Sequence, residues 1–191
     1  MGQKEDIKRI NEEIAARFGR IEAGVSSAET IAGLFESLLT GIEEAFRVPF
    51  VWLTLIDNIS TAPLIDAVNA SDFLKNRLSI VSKELCDKIL PEGLKPVLAN
   101  KDLQPFYKMM PPSRKYFVRS IAVAPFALDG QIVGTWNNGD ADPERYAANM
   151  DTALLSALAD KISMKLTALA AGKDAASDHN LNNEQPGGLH G

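Results

Sequence analysis

The chain has 191 residues, 46% of them hydrophobic and 24% charged, which is typical of a single globular domain. Its net charge of −5 argues against a nucleic-acid binder with a broad basic surface. The one cysteine, Cys86, excludes an internal disulfide and a thiolate zinc site. Both histidines, His179 and His190, lie near the C-terminus, so the predicted globular part has no imidazole base. We therefore expect no enzyme, no cofactor and no bound metal.

The sequence does not indicate a membrane partner. The longest apolar run, Val48 to Ile56, is too short to span a bilayer. The N-terminus is polar and acidic from Gln3 onward, unlike a signal peptide. A lone free thiol suits a reducing compartment, so a cytoplasmic location is predicted.

The first predicted helix, roughly Lys4 to Ala23, has a narrow apolar stripe on an otherwise charged surface. The stripe fits a helix packed on its own domain, and it equally fits a coiled-coil seam between two chains. Because it precedes the domain, we predict residues 1–25 as a separate coiled-coil-like helix and the protein as a homodimer. The predicted interface joins this helix to the last one and consists of Ile7, Ile10, Ile14, Ile21, Leu158, Ile162 and Leu166.

The middle of the chain is predicted to alternate between helices and strands. A capping box at Ser26–Glu29 begins a second helix, which ends before Pro49. The almost continuous apolar run Phe50–Ile56 is typical of a strand covered on both faces. Residues 60–76 show no readable pattern. After them we predict a helix at 78–90, a strand at 95–99 and a short helix or loop at 104–110.

The clearest local signal is a β-hairpin. Two strand-like runs, Ser120–Leu128 and Gln131–Asn138, flank Asp129-Gly130, a pair that suits the positive φ of a tight hairpin turn. Asn149 is then predicted to cap a last helix, Met150–Ala171. The domain is placed at residues 26–171, and residues 172–191 are predicted to be a disordered tail.

The hairpin and the loop after it resemble GAF domains. The residues that carry the resemblance are Ser120–Phe126, the Asp129-Gly130 turn and Ile132–Gly134. Gly139–Tyr146 and Met150–Thr152 are similar to one uncharacterised bacterial branch of that superfamily. The resemblance implies an α+β fold: an antiparallel sheet with the N- and C-terminal helices on one face and helices and loops on the other. It also implies a domain that binds a small molecule or acts as a regulatory dimer.

Three chemistries of that superfamily fit this sequence poorly. Members that bind cyclic nucleotides carry Asn-Lys where this chain has Asn138-Gly139, and an acidic pair where it has Met150-Asp151. Members that attach a bilin use a cysteine that is often next to a histidine, whereas Cys86 precedes Asp87. Members that reduce methionine sulfoxide use several cysteines, and a single thiol has no resolving partner.

The candidate ligand pocket is predicted over the hairpin strands and the first strand. Polar residues inside apolar strands need hydrogen-bond partners when buried, and a ligand, the backbone or water can supply them. Phe106 and Tyr107 fall in the segment that covers the ligand side of the sheet in GAF domains, where they form either a lid or ordinary packing. The predicted pocket residues are Trp52, Thr54, Phe106, Tyr107, Ser120, Thr135, Trp136 and Asn137.

Two functional hypotheses follow from the sequence. The first is a non-catalytic, homodimeric sensor with an unidentified small-molecule ligand. The alternative is a ligand-free dimerisation or scaffold module for a signalling partner. Burial of Thr135 and Asn137 with protein groups as their hydrogen-bond partners would favour the alternative.

Overall fold

A computed structural model describes residues 2–181, with side chains described as far as residue 172. The described chain forms one five-stranded sheet with long helices at both ends. The helices are α1 (Gly2–Ser26), α2 (Ile31–Phe46), α3 (Ala62–Asn69), α4 (Lys83–Ile89) and α5 (Ala153–Leu181). The strands are β1 (Phe50–Ile56), β2 (Leu78–Val81), β3 (Val97–Ala99), β4 (Ser120–Leu128) and β5 (Gln131–Asp140).

The strand order is β2-β1-β5-β4-β3, and all neighbours are antiparallel except β1 and β2. The predicted hairpin is confirmed as β4 and β5, with Asp129 and Gly130 both at positive φ in the turn. Gly134 in β5 lies so close to β1 that a Cβ atom there would be 2.4 Å from the Thr54 carbonyl oxygen. This close approach requires glycine, because no larger residue fits between the two backbones.

The sheet has two covered faces, because successive side chains of each strand point to opposite sides. The helical face packs against α1, α2, α3 and α5 and includes Leu53, Phe126 and Trp136. The opposite face packs against α4 and the 3-10 helix Gln104–Met109, which we call the plug. A mostly antiparallel sheet with the terminal helices on one face and shorter helices on the other confirms the predicted α+β class.

Several predicted boundaries in the middle of the chain are wrong. The predicted helix at 78–90 is strand β2 followed by α4, because the Ser82 side chain caps a new helix by accepting from the Leu85 amide at 3.3 Å. Residues 60–76, which showed no readable pattern, contain α3 and parts of two short 3-10 turns, at 59–61 and 75–77. The capping residue of α2 is Thr30, not Ser26, which is still part of α1.

The last helix also differs from its prediction. It begins after Asp151, whose carboxylate accepts from the Ala153 amide at 2.7 Å, so the predicted cap at Asn149 is wrong. It continues to Leu181, beyond the predicted end at Ala171. Gly172 therefore does not end the helix, since one glycine costs only about 1 kcal/mol in a helix interior. The rest of the predicted tail, including His190, lies outside the described residues.

Two classes of feature are absent from residues 2–181. None of their helices is both long enough and apolar enough to cross a membrane. The same residues contain no group of three or more histidine, cysteine, aspartate or glutamate side chains arranged to hold a metal ion.

Candidate functional site

A row of polar side chains crosses the plug face of the sheet on β1 and β5. Trp52 lies opposite Asn137, and Thr54 lies opposite Thr135. Thr135 and Asn137 are fully buried, and Trp52 and Thr54 are only 1% exposed. These are four of the predicted pocket residues, and the structure brings them together.

Each polar group in this row is bonded to protein. The Trp52 indole Nε1 donates to the Met109 carbonyl oxygen at 2.7 Å, and Thr54 Oγ1 donates to the same oxygen at 3.1 Å. Asn137 Nδ2 donates to Thr54 Oγ1 at 3.0 Å, and Thr135 Oγ1 donates to Asn137 Oδ1 at 2.9 Å. Among the described side chains, no buried nitrogen or oxygen lacks a hydrogen-bond partner.

The plug fills the space above this row. Met109 is fully buried, and Phe106 is 8% exposed, so Phe106 packs in the core rather than standing as a free lid. Apolar residues from α4 and β4, such as Ile89 and Ile121, complete the layer. The predicted pocket wall is therefore covered by the chain's own plug.

Three predicted pocket residues lie elsewhere. Trp136 is on the helical face, where its indole Nε1 donates to Asn138 Oδ1 at 2.9 Å. Ser120 is at the start of β4, and its hydroxyl donates to the Asp142 carbonyl oxygen at 2.6 Å. Tyr107 is 39% exposed on the outer side of the plug. The two-residue alternation of β5 explains why Trp136 is separated from Thr135 and Asn137.

The seven predicted interface residues fall into two groups. Ile7 and Ile10 are exposed, and Ile14 is half-buried. The other four are buried within the core of a single chain, so their apolar character is already accounted for without a partner. They are Ile21, Leu158, Ile162 and Leu166.

The sequence analysis did not select a second polar group, at the α1 end of the helical face. Asn138 of β5 is 4% exposed there, beside Arg145 and Tyr146 of the loop before α5. Arg145 Nη1 donates to Asp140 Oδ2 at 3.0 Å, and Nη2 donates to the Phe46 carbonyl oxygen. Burial raises the pKa of Tyr146 to about 12, which outweighs the opposite effect of Arg145, so the phenol stays neutral.

Cys86 on α4 is 2% exposed, and burial, with Asp87 beside it, raises its pKa to about 11. A thiol is reactive as thiolate, and at pH 8 this shift lowers the thiolate fraction about a hundredfold. We expect labelling by a disulfide reagent at pH 8 to be at least about a hundredfold slower in the native protein than in urea. Comparable rates in the two states would contradict this assignment.

The same shift sets a pH dependence of stability. The pKa of Cys86 is raised from 9.0 to about 11 in the folded protein, so above pH 9.0 the thiol ionises more readily in the unfolded chain. The contribution of the neutral thiol to the free energy of unfolding is therefore complete below pH 9.0 and is lost as the pH rises toward 11. Denaturant melts between pH 9.0 and 11 should show a smaller decrease in the free energy of unfolding for Cys86→Ala than for the unchanged protein. Tyr146, present in both proteins, contributes equally to each.

The comparisons with known proteins concern the fold. No family model and no curated protein matches the chain. Among solved structures, the chain resembles a free methionine-R-sulfoxide reductase from Neisseria meningitidis, with a TM-score of 0.56, 16% identity, and coverage of 81% of this chain and 89% of that one. It also resembles the GAF domain of an Acinetobacter phosphoenolpyruvate-protein phosphotransferase, with a TM-score of 0.53, 14% identity, and coverage of 82% and 94%. The chain has a GAF-like fold.

A third structure similar to this GAF-like domain is a domain of a sensor histidine kinase protein from Sinorhizobium meliloti, with a TM-score of 0.50 and 14% identity over 78% of this chain and 99% of that one. Identities at this level establish the fold and leave the function to the residues of the site. The finer resemblance to an uncharacterised bacterial branch stays a prediction.

Proposed function

We propose that this GAF-like domain is a non-catalytic regulatory module that acts by binding protein, as a homodimer, and takes no ligand on the plug face of its sheet. The observation that carries this proposal is the closed hydrogen-bond network under the plug. A ligand on that face would have to displace the Met109 carbonyl from Trp52 and Thr54 and expel Met109 from a fully buried position. The sensor hypothesis on this face is therefore the weaker of the two.

The exposed N-terminal half of α1 supports the proposed homodimer. Residues 2–13 are all exposed and none of them packs in the hydrophobic core, so the first three turns of α1 bury little surface against their own chain. Isolated helices of this length are marginal in water. The apolar stripe of this half consists of Ile7 and Ile10, which are 55% and 50% exposed. Pairing with the same stripe of a second chain would cover both residues and stabilise the helix.

The structural similarity to a reductase does not favour the same chemistry here. That relative is a free methionine-R-sulfoxide reductase, whereas this chain has one cysteine, which is buried and has a raised pKa. A thiol in this state is a poor nucleophile. Two of the other similar structures come from a phosphotransferase and a sensor kinase protein, which supports a regulatory role.

The test of the dimer is a substitution in the exposed stripe. Ile10→Asp is expected to weaken dimerisation at least about tenfold, because the seam would bury an unpaired carboxylate. Ala16→Asp adds the same charge on the opposite side of α1 and should leave the dimer intact. The fraction of dimer in the unchanged protein and in the two variants is measured by native mass spectrometry and by sedimentation at micromolar concentration.

The same spectra test the absence of a ligand on the plug face. A dimer of unmodified mass supports the proposal. If the unchanged protein is a monomer, the proposed dimer is wrong. If Ile10→Asp and Ala16→Asp weaken dimerisation equally, the interface is not the stripe that contains Ile7 and Ile10. Reproducible extra mass that disappears in Trp52→Phe would restore the sensor hypothesis for this face.

A further inference from the structure

A cavity of about 240 Å³ lies on the helical face, between α1, the end of α2 and the start of α5. It is separated from the plug by the sheet, since its strand residues alternate with those of the plug face. We call it the helical-face cavity. Its apolar lining includes Phe18, Phe46, Val48, Leu98 and Leu155, and Met150 lies at its mouth.

Three polar residues of this cavity, Asn138, Arg145 and Tyr146, lie together. Asn138 is buried, and its Oδ1 is already occupied by the Trp136 indole. Arg145 is held in place by Asp140 and by the Phe46 carbonyl oxygen. Tyr146 keeps its proton, so its hydroxyl is a hydrogen-bond donor at every physiological pH. An apolar pocket with a few convergent polar groups is the usual form of a small-molecule site.

The charges at the cavity disfavour an anion. The guanidinium of Arg145 forms an ion pair with Asp140 at 3.0 Å, which compensates its charge. Asp151 lines the same cavity and adds a second carboxylate. A ligand carboxylate would therefore face Asp151 and an arginine whose charge is already compensated.

We propose that the helical-face cavity binds an uncharged small molecule with an apolar body and one carbonyl group, which accepts a hydrogen bond at the Asn138, Arg145 and Tyr146 side. The size of the cavity limits that body to about one substituted ring. An apolar protein cavity of about 150 Å³ is large enough for benzene, so this one has room for a ring and a short polar substituent.

The position of this site joins it to the proposed dimer. Ile14 and Phe18 of α1 border the cavity, and the exposed pair Ile7 and Ile10 follows on the same stripe. Leu155 on its other side belongs to the first turn of α5. A ligand here contacts both terminal helices, so its occupancy can bias their relative position.

The experiment uses three probes that share one ring. Acetophenone has a neutral carbonyl, toluene has none, and benzoate has a charge. Each is titrated into the full chain with methyl-labelled Val, Leu, Ile and Met, and binding is followed by NMR. We expect acetophenone to bind with a dissociation constant below about 1 mM, and toluene and benzoate to bind at least about fivefold more weakly. The methyl signals of Val48, Leu98 and Leu155 should shift.

Two tryptophan variants locate the site. Met150→Trp places a large ring at the cavity mouth and should abolish acetophenone binding, and Met164→Trp adds the same ring to an exposed face of α5 as a control. Tyr146→Phe should weaken acetophenone about fivefold through loss of one hydrogen bond. Because the methyl shifts locate the probe in the unchanged protein, a variant that fails to fold leaves the test intact.

Several results would overturn the proposal. One is that no probe binds below about 10 mM, and another is that benzoate binds as well as acetophenone. A third is unchanged binding in Met150→Trp. A fourth is acetophenone binding that weakens as protein concentration rises, which would assign the cavity to a side chain of a second copy. The dimer test uses Ile10 and does not depend on any of these outcomes.

Discussion

Gly134→Ala is expected to lower the free energy of unfolding by about 3 kcal/mol. The added methyl group would lie 2.4 Å from the Thr54 carbonyl oxygen and 2.8 Å from Leu55 Cδ2. The first of these atoms is backbone in the paired strand, which cannot turn away as a side chain can. The central pair of strands would have to separate, and the layers on both faces would be disturbed.

The matched control is Gly19→Ala on α1. A Cβ atom at Gly19 meets nothing within 4 Å, and the residue lies in the interior of a helix. This change should raise the free energy of unfolding by about 0.5 kcal/mol. Urea denaturation of the two variants measures both effects. Equal, small effects would mean that β1 and β5 are not as close as described.

Asn137→Leu is expected to lower the free energy of unfolding by about 2 kcal/mol. The change keeps the number and branching of the side-chain heavy atoms, but it removes the acceptor of the Thr135 hydroxyl and the donor to Thr54. Thr135 is fully buried, so no water replaces the lost partner. An unsatisfied buried hydroxyl then costs its full desolvation penalty.

A double variant separates the lost hydrogen bond from other effects. In Asn137→Leu with Thr135→Val, both partners are apolar, and about half or more of the lost stability should return. Denaturant melts of the two single variants and the double variant give the coupling between the residues. If Asn137 instead served an external ligand, the single substitution would cost the free protein little, which would contradict the closed network.

The elements that the sequence predicted well are those with local signals. The hairpin rests on a turn pair and on strand alternation within twenty residues, and α2 rests on its own helical period and on the proline that follows its end. Strand β2 was missed because four residues are too few to show a period, and its apolar residues merged with those of α4. The end of α5 is mispredicted because residues 172–181 are polar and show no apolar period, which is also the pattern of a disordered tail.

The candidate site could be predicted only in part, because only some of its features have a local signal in the sequence. Alternation along β1 and β5 correctly placed polar residues in a wall, but what covers that wall depends on contacts far apart in sequence. Trp52 and Met109 are 57 residues apart, and no local pattern indicates that a backbone carbonyl will occupy the place of a ligand. The helical-face cavity had a readable signal, since Asn138 shares its strand face with Trp136, and the loop after it contains Arg145 and Tyr146.

Strand β5 separates the two compartments of the core, which are the layer under the plug and the layer under the terminal helices. Thr135 and Asn137 belong to one compartment, and Trp136 and Asn138 belong to the other. Sliding β5 by one residue would exchange these pairs, placing an indole among the plug's hydrogen bonds and an amide in the apolar core. The strand therefore cannot transmit a signal by shifting along its neighbours. A movement of the whole sheet, in contrast, keeps this register and acts on both terminal helices, because both pack on its helical face.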